Sequence, residues 1–409
     1  MYNNYTPRAG KRQGETSKKI NGVMKIVAVT AEFNPLHNGH LRLFEKAKAL
    51  KPDVLLVILN GDLTQRGNLA LFDKYTRAKH SLLAGADAVI ELPQIYGVAC
   101  AERFADAAVK LLAPLPADEK VLAFGSEEGD LTLLKNAAEI LSDEPAELSV
   151  DLRELMDMGF SYPVARAQAF ASYTQKKGIK VADLTKPNNI LAIEYLRAVF
   201  KRGGVTPFTV KRTGDYHDRE LNDEEPSASA IRAAVAAGKT EEVFAALPSY
   251  VAESLKDFVF KDNLSPILLY RLSEMTAAEL RDVADVSEGI ENRILRLAGE
   301  CVDAGSLVKA VSTKRYTESR VRRILVNALL RVDQDTFESG VDAPPYYKVL
   351  GVKKDRTDVL SLFSRAGTVL TGEQEAKESG IPSAVIDAKA HDLYRVATES
   401  DLEDGMILL

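Results

Sequence analysis

Cysteine is nearly absent: the 409 residues include two, Cys100 and Cys301. A pair so far apart gives no disulfide framework and no cysteine-based metal site, and it suits a reducing cytoplasm. Long apolar runs are missing too. No stretch approaches the roughly 20 residues that cross a bilayer, so no membrane span is expected. The residues before Met24 are polar, carry Lys11, Arg12, Lys18 and Lys19, and lack the apolar segment of a secretory signal. They read as a flexible extension, 1–23, with Met24 as the natural start. There is no excess of positive charge, since 53 Lys and Arg face 59 Asp and Glu for a net −6. That argues against a chain built mainly to coat nucleic acid, while leaving room for a local basic patch. No internal repeat is visible. The remainder has ordinary globular composition, and its length fits two or three domains.

What is present is concentrated in one stretch, Glu32-Phe33-Asn34-Pro35-Leu36-His37-Asn38-Gly39-His40. The apolar run Lys25–Ala31 before it reads as a buried parallel strand. Leu41 to Leu50 after it has helical apolar spacing. Two histidines with Gly39 between them thus sit where a first strand hands over to a first helix. In an open α/β sheet the ligand crevice lies at that end of the strands. A helix start presents unpaired N–H groups and positive dipole to phosphate. His37 and His40 add imidazoles that can bind a nucleotide triphosphate as charge builds, and Gly39 permits close backbone approach. Zinc binding is a weaker reading, because no Cys or acidic cluster stands at ligand spacing. The element resembles the "HIGH"-type signature of adenylyl-transferring enzymes.

Further apolar runs at Val54–Leu59, Ala88–Leu92, Val121–Phe124 and Val205–Val210 alternate with helical stretches at 74–84, 101–112 and about 130–200. That alternation predicts an α/β fold with a doubly wound, mostly parallel, Rossmann-type sheet. It ends near Gly238. A mainly helical region runs on to Val332, and Pro344-Pro345 precedes a small mixed segment with strand-like Tyr347–Leu350 and Ser383–Ile386. The expected units are therefore 24–238, 239–340 and 341–409.

Secondary signals narrow the site. Ser227-Ala228-Ser229-Ala230-Ile231-Arg232 opens a helix, and its hydroxyls and Arg232 suit phosphate oxygens. Taken alone it is an ordinary capped helix; its place after the last strand favours the phosphate role. Arg212 ends a strand and is either a phosphate ligand or a surface arginine. Asn188 and Asn189 are either a helix cap or adenosine contacts. Gly125 either lets a nucleotide approach or makes a turn. His80 and His391 read as structural or surface residues. Lys309, Lys314, Arg315, Arg320, Arg322 and Arg323 crowd around Tyr316, opposed locally only by Glu318, and read as an RNA-phosphate surface.

Together with Gln65-Arg66-Gly67, Phe124-Gly125-Ser126-Glu127, Pro187-Asn188-Asn189-Ile190-Leu191 and the Lys314–Arg323 stretch, these motifs resemble the bacterial tRNA(Met) cytidine acetate ligase family. The resemblance is visible from Met24 to about Leu350. It departs at Asn60-Gly61-Asp62-Leu63-Thr64, where Ser-Gly-Asn-Phe-Val is usual. It implies an ATP-binding stretch of Thr30, Ala31, Glu32, Phe33, Asn34, Pro35, Leu36, Asn38, Gly39, Leu41, Arg42 and Leu43 around catalytic His37 and His40. Gly125, Asn188 or Asn189, Arg212 and Thr213 would complete that site. It further implies Mg²⁺ with the phosphates, acetate as acyl source and elongator tRNA(Met) as acceptor. Two other functions share parts of the pattern: a small-molecule adenylyltransferase and a non-catalytic RNA-binding protein. The first leaves the helical half unexplained; the intact histidines argue against the second.

Overall fold

A computed structural model describes residues 24–212, 227–256, 258–287 and 289–409. Strands and helices alternate as β1 (Lys25–Ala31), α1 (Asn38–Ala49), β2 (Val54–Asn60), α2 (Lys74–Leu83), β3 (Ala88–Leu92), α3 (Gln94–Gly97), α4 (Ala101–Leu112) and β4 (Glu119–Ser126). Then come α5 (Leu131–Asp143), α6 (Ala146–Asp157), α7 (Tyr162–Lys177), α8 (Pro187–Arg202), β5 (Thr206–Lys211) and α9 (Ala228–Ala236). The five strands lie parallel in the order β5-β4-β1-β2-β3. Both faces are covered, which is why the strands read as continuous apolar runs and not as alternation. Ile26, Ala28, Leu56 and Ile58 join one core with α4, α5 and α8; Val27, Val29, Leu55 and Val57 join the other with α1, α2 and α9. The order reverses at β1, so the crevice between the carboxyl ends of β1 and β4 is the switch point.

After a 3₁₀ turn at Thr240–Ala246, the helical region contains α10 (Ser249–Leu255), α11 (Leu264–Glu274), α12 (Ala277–Arg281), α13 (Ile290–Ala298), α14 (Ala304–Val311), α15 (Glu318–Leu330) and α16 (Gln334–Asp342). Helices α11 to α15 have a core of their own, with Leu268, Leu272, Ile294, Leu307, Val308 and Ile324, whereas Val251 and Leu255 of α10 and Val341 of α16 join the cores of the sheet. The chain then returns to the sheet as β6 (Tyr346–Val352), followed by α17 (Leu360–Ala366), β7 (Thr368–Leu370), α18 (Glu373–Glu378), α19 (Pro382–Thr398) and β8 (Ile407–Leu408). β6 pairs antiparallel with β3, while β7 and β8 lie parallel to β6. This last segment therefore covers the edge that β3 would otherwise present to solvent. Ser383–Ile386 is not a strand but the first turn of α19. Four apolar residues cannot distinguish the two forms; the longer series Ala384, Asp387, Ala388, His391 and Tyr394, all buried, has the helical period. Pro382 at the first helical position presets the required φ. No helix among the described residues is long and apolar enough to cross a membrane.

A buried ionic cluster fastens the returning segment. Lys74 Nζ lies 3.0 Å from each carboxylate oxygen of Glu91 and 2.9 Å from Glu373 Oε1. Lys348 on β6 reaches Glu373 Oε2 at 2.6 Å and Glu91 Oε2 at 3.2 Å. The Asp62 carboxylate accepts the Lys74 main-chain N–H at 2.7 Å and faces His391 Nδ1 at 2.8 Å. Asp387 accepts the Gln94 N–H at 2.7 Å and meets the Tyr346 hydroxyl at 2.6 Å. Burial, with Glu91 nearby, pushes the Asp387 carboxyl up to about 8. Burial pulls His391 down, but the Asp62 carboxylate outweighs it and raises the imidazole above its ordinary value.

These shifts fix the sign of the pH dependence. Folded Asp387 keeps a proton that the unfolded chain releases near its ordinary value of about 3.9. Stability is therefore lost as pH rises from there toward about 8. His391 acts in the same direction above its ordinary value. Asp387→Asn still offers an oxygen to Gln94 and an N–H to Tyr346. It is expected to remove up to about 1.4 kcal/mol per pH unit from the slope of unfolding free energy in this range, measured by urea denaturation at several pH values. An unchanged slope would mean that Asp387 is ionised in the folded protein. Lys74→Met should destabilise by about 3–5 kcal/mol, because it strands buried carboxylates.

Candidate active site

The helix after β1 begins earlier than the apolar spacing indicates, at Asn38, with His37 as its extended N-cap. The His37 main-chain N–H donates to His40 Nδ1 at 3.2 Å, so the second histidine satisfies a group at the helix start. The two rings lie 3.7 Å apart between centroids, and Phe33 meets His40 edge-on at 5.0 Å. Burial, reinforced by Arg212 and Arg232, pushes His37 down to about 3. Burial, then His37 and Arg212, holds His40 well below its ordinary value as well. Both imidazoles are thus neutral at pH 7. A neutral His40 that accepts at Nδ1 carries its proton on Nε2. His37 Nε2 is buried without a hydrogen-bond partner among the described residues.

Two cations come from elements later in the chain. The Arg212 main-chain N–H donates to the Ser126 carbonyl at 2.9 Å, which continues the β4–β5 pairing. A Cβ on Gly125 would stand 3.2 Å from Arg212 Cγ, so the missing side chain is what lets Arg212 lie over the end of β4. Arg232 donates to the Asn34 carbonyl at 2.6 Å and to Ser229 Oγ at 3.1 Å. It therefore ties α9 to the histidine turn. Ser227 Oγ accepts the Ala230 N–H at 3.1 Å and caps α9. Thr213 lies outside the described residues.

Thr30 to Leu43 does not act as one surface. Phe33 and Leu36 are core residues, and Leu41 and Leu43 pack against that core. Asn38 donates to the Ala245 carbonyl at 3.0 Å. Glu32 turns its side chain toward β2, where Asn60 Nδ2 donates to it at 3.1 Å. Asn188 and Asn189 do not cap α8, whose N-cap is Lys186 with Pro187 next. Glu127 does so from outside. One of its oxygens accepts the Asn188 N–H at 3.1 Å and the other the Asn189 N–H at 2.7 Å. Asn189 spends its side chain on the Glu128 N–H at 3.0 Å and the Asp183 carbonyl at 3.1 Å. Asn188 is the partly exposed member of the pair.

Beside β2 stands a residue that the sequence did not flag. Arg77 on α2 is 1% exposed and binds main-chain carbonyls at four places: Phe72 at 2.8 Å, Glu32 at 2.8 Å, Asn60 at 2.9 Å and Gly61 at 2.5 Å. It pins the carboxyl ends of β1 and β2 together. Glu32 Oε1 accepts from Asn60 Nδ2 at 3.1 Å and from the Gln65 N–H at 2.6 Å. Gly67 in that loop has φ +75°, and a Cβ there would stand 2.9 Å from the main-chain carbon of Arg322. The loop therefore rests directly on α15.

The basic stretch is less bare than its sequence. Asp285 pairs with Arg320 at 3.4 Å and with Arg323 at 3.1 Å. Arg322 pairs with Glu318 at 3.0 Å. The expectation that only Glu318 opposes the cluster is thus corrected: the fold brings a second carboxylate from the α12–α13 connection. Lys314 and Arg315, before α15, are exposed. Among the described residues no group of three or more His, Cys, Asp or Glu is placed to hold a metal ion.

A parallel switch-point crevice with two histidines at a helix start and two arginines beside them has the chemistry that suits nucleotide phosphates. The HIGH Nucleotidyl Transferase family model matches residues 24–405, and the chain is of that class. The match extends well past Leu350, where the resemblance in the sequence fades. A tRNA(Met) cytidine acetate ligase of Caldanaerobacter subterraneus subsp. tengcongensis is 38% identical over 82% of this chain and 85% of its own length. One from Thermoanaerobacter sp. (strain X514) is 36% identical over 94% of this chain and 98% of its own. The chain belongs to the tRNA(Met) cytidine acetate ligase family. The crystal structure of Thermotoga maritima TmcAL (apo, form I) superposes with a TM-score of 0.86 at 29% identity, covering 94% of this chain and 100% of that one. The same protein bound with alpha-thio ATP superposes with a TM-score of 0.82.

Arg212→Ala is expected to weaken ATP binding about tenfold to a hundredfold, the usual worth of a hydrogen bond to a charged group. Calorimetric titration checks this. Unchanged ATP affinity would remove Arg212 from the site.

Proposed function

We propose that this protein activates acetate with ATP and transfers the acetyl group to N4 of the wobble cytidine of elongator tRNA(Met). The carrying observation is the pair of packed histidines at the start of α1, 3.7 Å apart between ring centroids and close to Arg212 and Arg232, in a chain of this family. An acetate oxygen attacks the α-phosphorus of ATP, and pyrophosphate leaves. The cytosine amine is a weak nucleophile because its lone pair is delocalised into the ring. The mixed anhydride supplies the leaving group that acetate lacks. The amine then attacks the acetyl carbon, and AMP departs. The protein contributes positioning and charge stabilisation.

In this reading His37 and His40 donate to the phosphates as charge develops. The backbone from Thr30 to Ala31 and at Gly39, with Gly125, Asn188, Arg212 and Thr213, surrounds the nucleotide. Ser227, Ser229 and Arg232 shape the phosphate side. Mg²⁺ would accompany ATP and would be held mainly by phosphate oxygens and water. Residues 24–238 carry the adenylation chemistry and 239–340 bind tRNA through Lys314, Arg315 and Arg322, the last of which lies against the loop at Gly67. The protein acts in the cytoplasm, where its cysteines stay reduced.

The decisive experiment is nucleoside mass spectrometry of tRNA incubated with the protein, ATP and labelled acetate. Labelled N4-acetylcytidine is expected. Pyrophosphate release with unmodified tRNA would turn the reading toward a small-molecule adenylyltransferase. Two variants test the roles. His37→Ala and His40→Ala should each slow acetate-dependent ATP–pyrophosphate exchange by about a hundredfold or more. Near-normal exchange would sink the catalytic assignment. The double variant Lys314→Ala, Arg315→Ala should weaken tRNA binding and lower its salt slope by about 2, while exchange persists. A salt series with an unaltered slope would exclude both residues from the tRNA surface.

A further inference from the structure

We propose that Glu32 is the general base of the acyl-transfer half-reaction, accepting the proton that the cytidine N4 amine loses. This rests on the reading of the protein as a cytidine acetate ligase. The two half-reactions differ in their need for such a group. Adenylation joins acetate, already an anion, to phosphorus and expels pyrophosphate, with no proton to remove. In the transfer, the N4 lone pair forms a bond to the acetyl carbon, and the bond from that carbon to the phosphate oxygen breaks. AMP leaves with the bonding pair, and one N–H proton must go elsewhere. As the lone pair enters the new bond the N–H acidifies, so a carboxylate is a strong enough acceptor.

The carboxylates along the sheet's carboxyl edge are mostly committed. Asp62 faces His391 at 2.8 Å. Glu91 holds Lys74 at 3.0 Å and Lys348 at 3.2 Å. Glu127 gives both oxygens to the first turn of α8. Asp130 caps α5 by accepting the Thr132 N–H at 2.7 Å. Glu128 follows β4, on the opposite side of β1 from the loop that meets α15. Glu32 is different. Its Oε1 is held by Asn60 and the Gln65 N–H, and its own carbonyl is held by Arg77. Among the described residues no hydrogen bond reaches its Oε2 and no cation pairs with it. It is a half-buried, fixed carboxylate with one oxygen uncommitted.

Its neighbours lie on both substrate sides. The next residue, Phe33, abuts His40. The loop bonded to its Oε1 rests through Gly67 on Arg322 of α15. A tRNA seated on α15 would bring its cytidine to the end of the crevice where Glu32 stands, and an acetyl-adenylate held at the histidines would meet it there. Fixing a general base by hydrogen bonds to its other oxygen is the arrangement that proton transfer at a set geometry requires.

The test separates the half-reactions. Glu32→Gln keeps an oxygen for Asn60 and Gln65 and removes the proton acceptor. Acetate-dependent ATP–pyrophosphate exchange reads the first step. Single-turnover transfer from preformed, enzyme-bound labelled acetyl-adenylate to tRNA reads the second. The transfer rate of Glu32→Gln is expected to fall about a hundredfold more than its exchange rate, the lower range for general-base catalysis. Glu32→Asp, which retains a carboxylate, should transfer at least about tenfold faster than Glu32→Gln. Transfer by Glu32→Gln at the parent's rate would overturn the inference. So would equal loss of both steps, which would place Glu32 in ATP binding or folding, and so would equal transfer by the Asp and Gln variants. A parent protein that forms no acetyl-adenylate would instead overturn the function on which the inference rests.

Discussion

Two lysines are buried at the edge of the sheet, and much of the architecture follows from what keeps them there. Removing an ammonium group from water costs several kcal/mol even after relaxation, unless opposite charge and hydrogen bonds replace the lost hydration. Lys74 and Lys348 come from α2 and β6, and Glu91 and Glu373 bridge them from β3 and α18. None of these four can be satisfied without the other elements in place. The cluster therefore specifies that β6 returns to β3 and that α18 lies over the join. A purely apolar contact would accept neighbouring registers more readily. The same helix that supplies Lys74 supplies Arg77 one turn later, and Arg77 fastens the ends of β1 and β2. The anchoring of the last segment and the shape of the crevice thus share one rigid helix.

At the other side of the crevice the protein solves a charge problem. Two imidazoles 3.7 Å apart could not both be cationic beside Arg212 and Arg232. Burial removes the conflict by keeping them neutral; in the proposed function positive charge comes from the arginines and directed N–H donors come from the histidines. This division favours groups aimed at developing charge over a diffuse cationic cloud. It also explains why the turn is so tightly built. The Asn34 side chain accepts the Leu71 N–H at 2.7 Å, its carbonyl accepts Arg232, and Phe33 and Leu36 sink into the core.

The sheet and the histidine turn were legible because their determinants are local. Continuous apolar runs mark doubly covered strands, and His37-Asn38-Gly39-His40 follows the first of them directly. What escaped depends on partners far along the chain. Arg77 looks like an ordinary polar residue of α2, and nothing near it announces four carbonyls from β1, β2 and the connection before α2. Glu127 takes the capping role that is one reading of Asn188 and Asn189, from 61 residues away. Asp285 reaches the basic stretch from 38 residues upstream of Arg323. The departure at Asn60–Thr64 has a similar explanation. The negative charge of Asp62 meets His391, 329 positions later. Neither residue is intelligible alone, and the strand-like reading of Ser383–Ile386 hid the helix that carries the histidine.

Sequence distance also misrepresents how separate the basic stretch and the histidine turn are. The basic stretch follows the histidine motif by more than 250 residues, yet the chain between them folds back so that α15 lies on the loop after β2. That loop is bonded through the Gln65 N–H to Glu32, and Glu32 is the residue before Phe33, whose ring packs on His40. The path from α15 to the histidines is therefore a series of fixed contacts: the Gly67 backbone on Arg322, one short hydrogen bond, and one peptide link. Gly67 is the most constrained point in it. Its φ of +75° suits glycine, and its open face is filled by the α15 main chain, so a larger residue would be strained twice over. The surface of α15 and the crevice are parts of one continuous structure, joined where a side chain is missing.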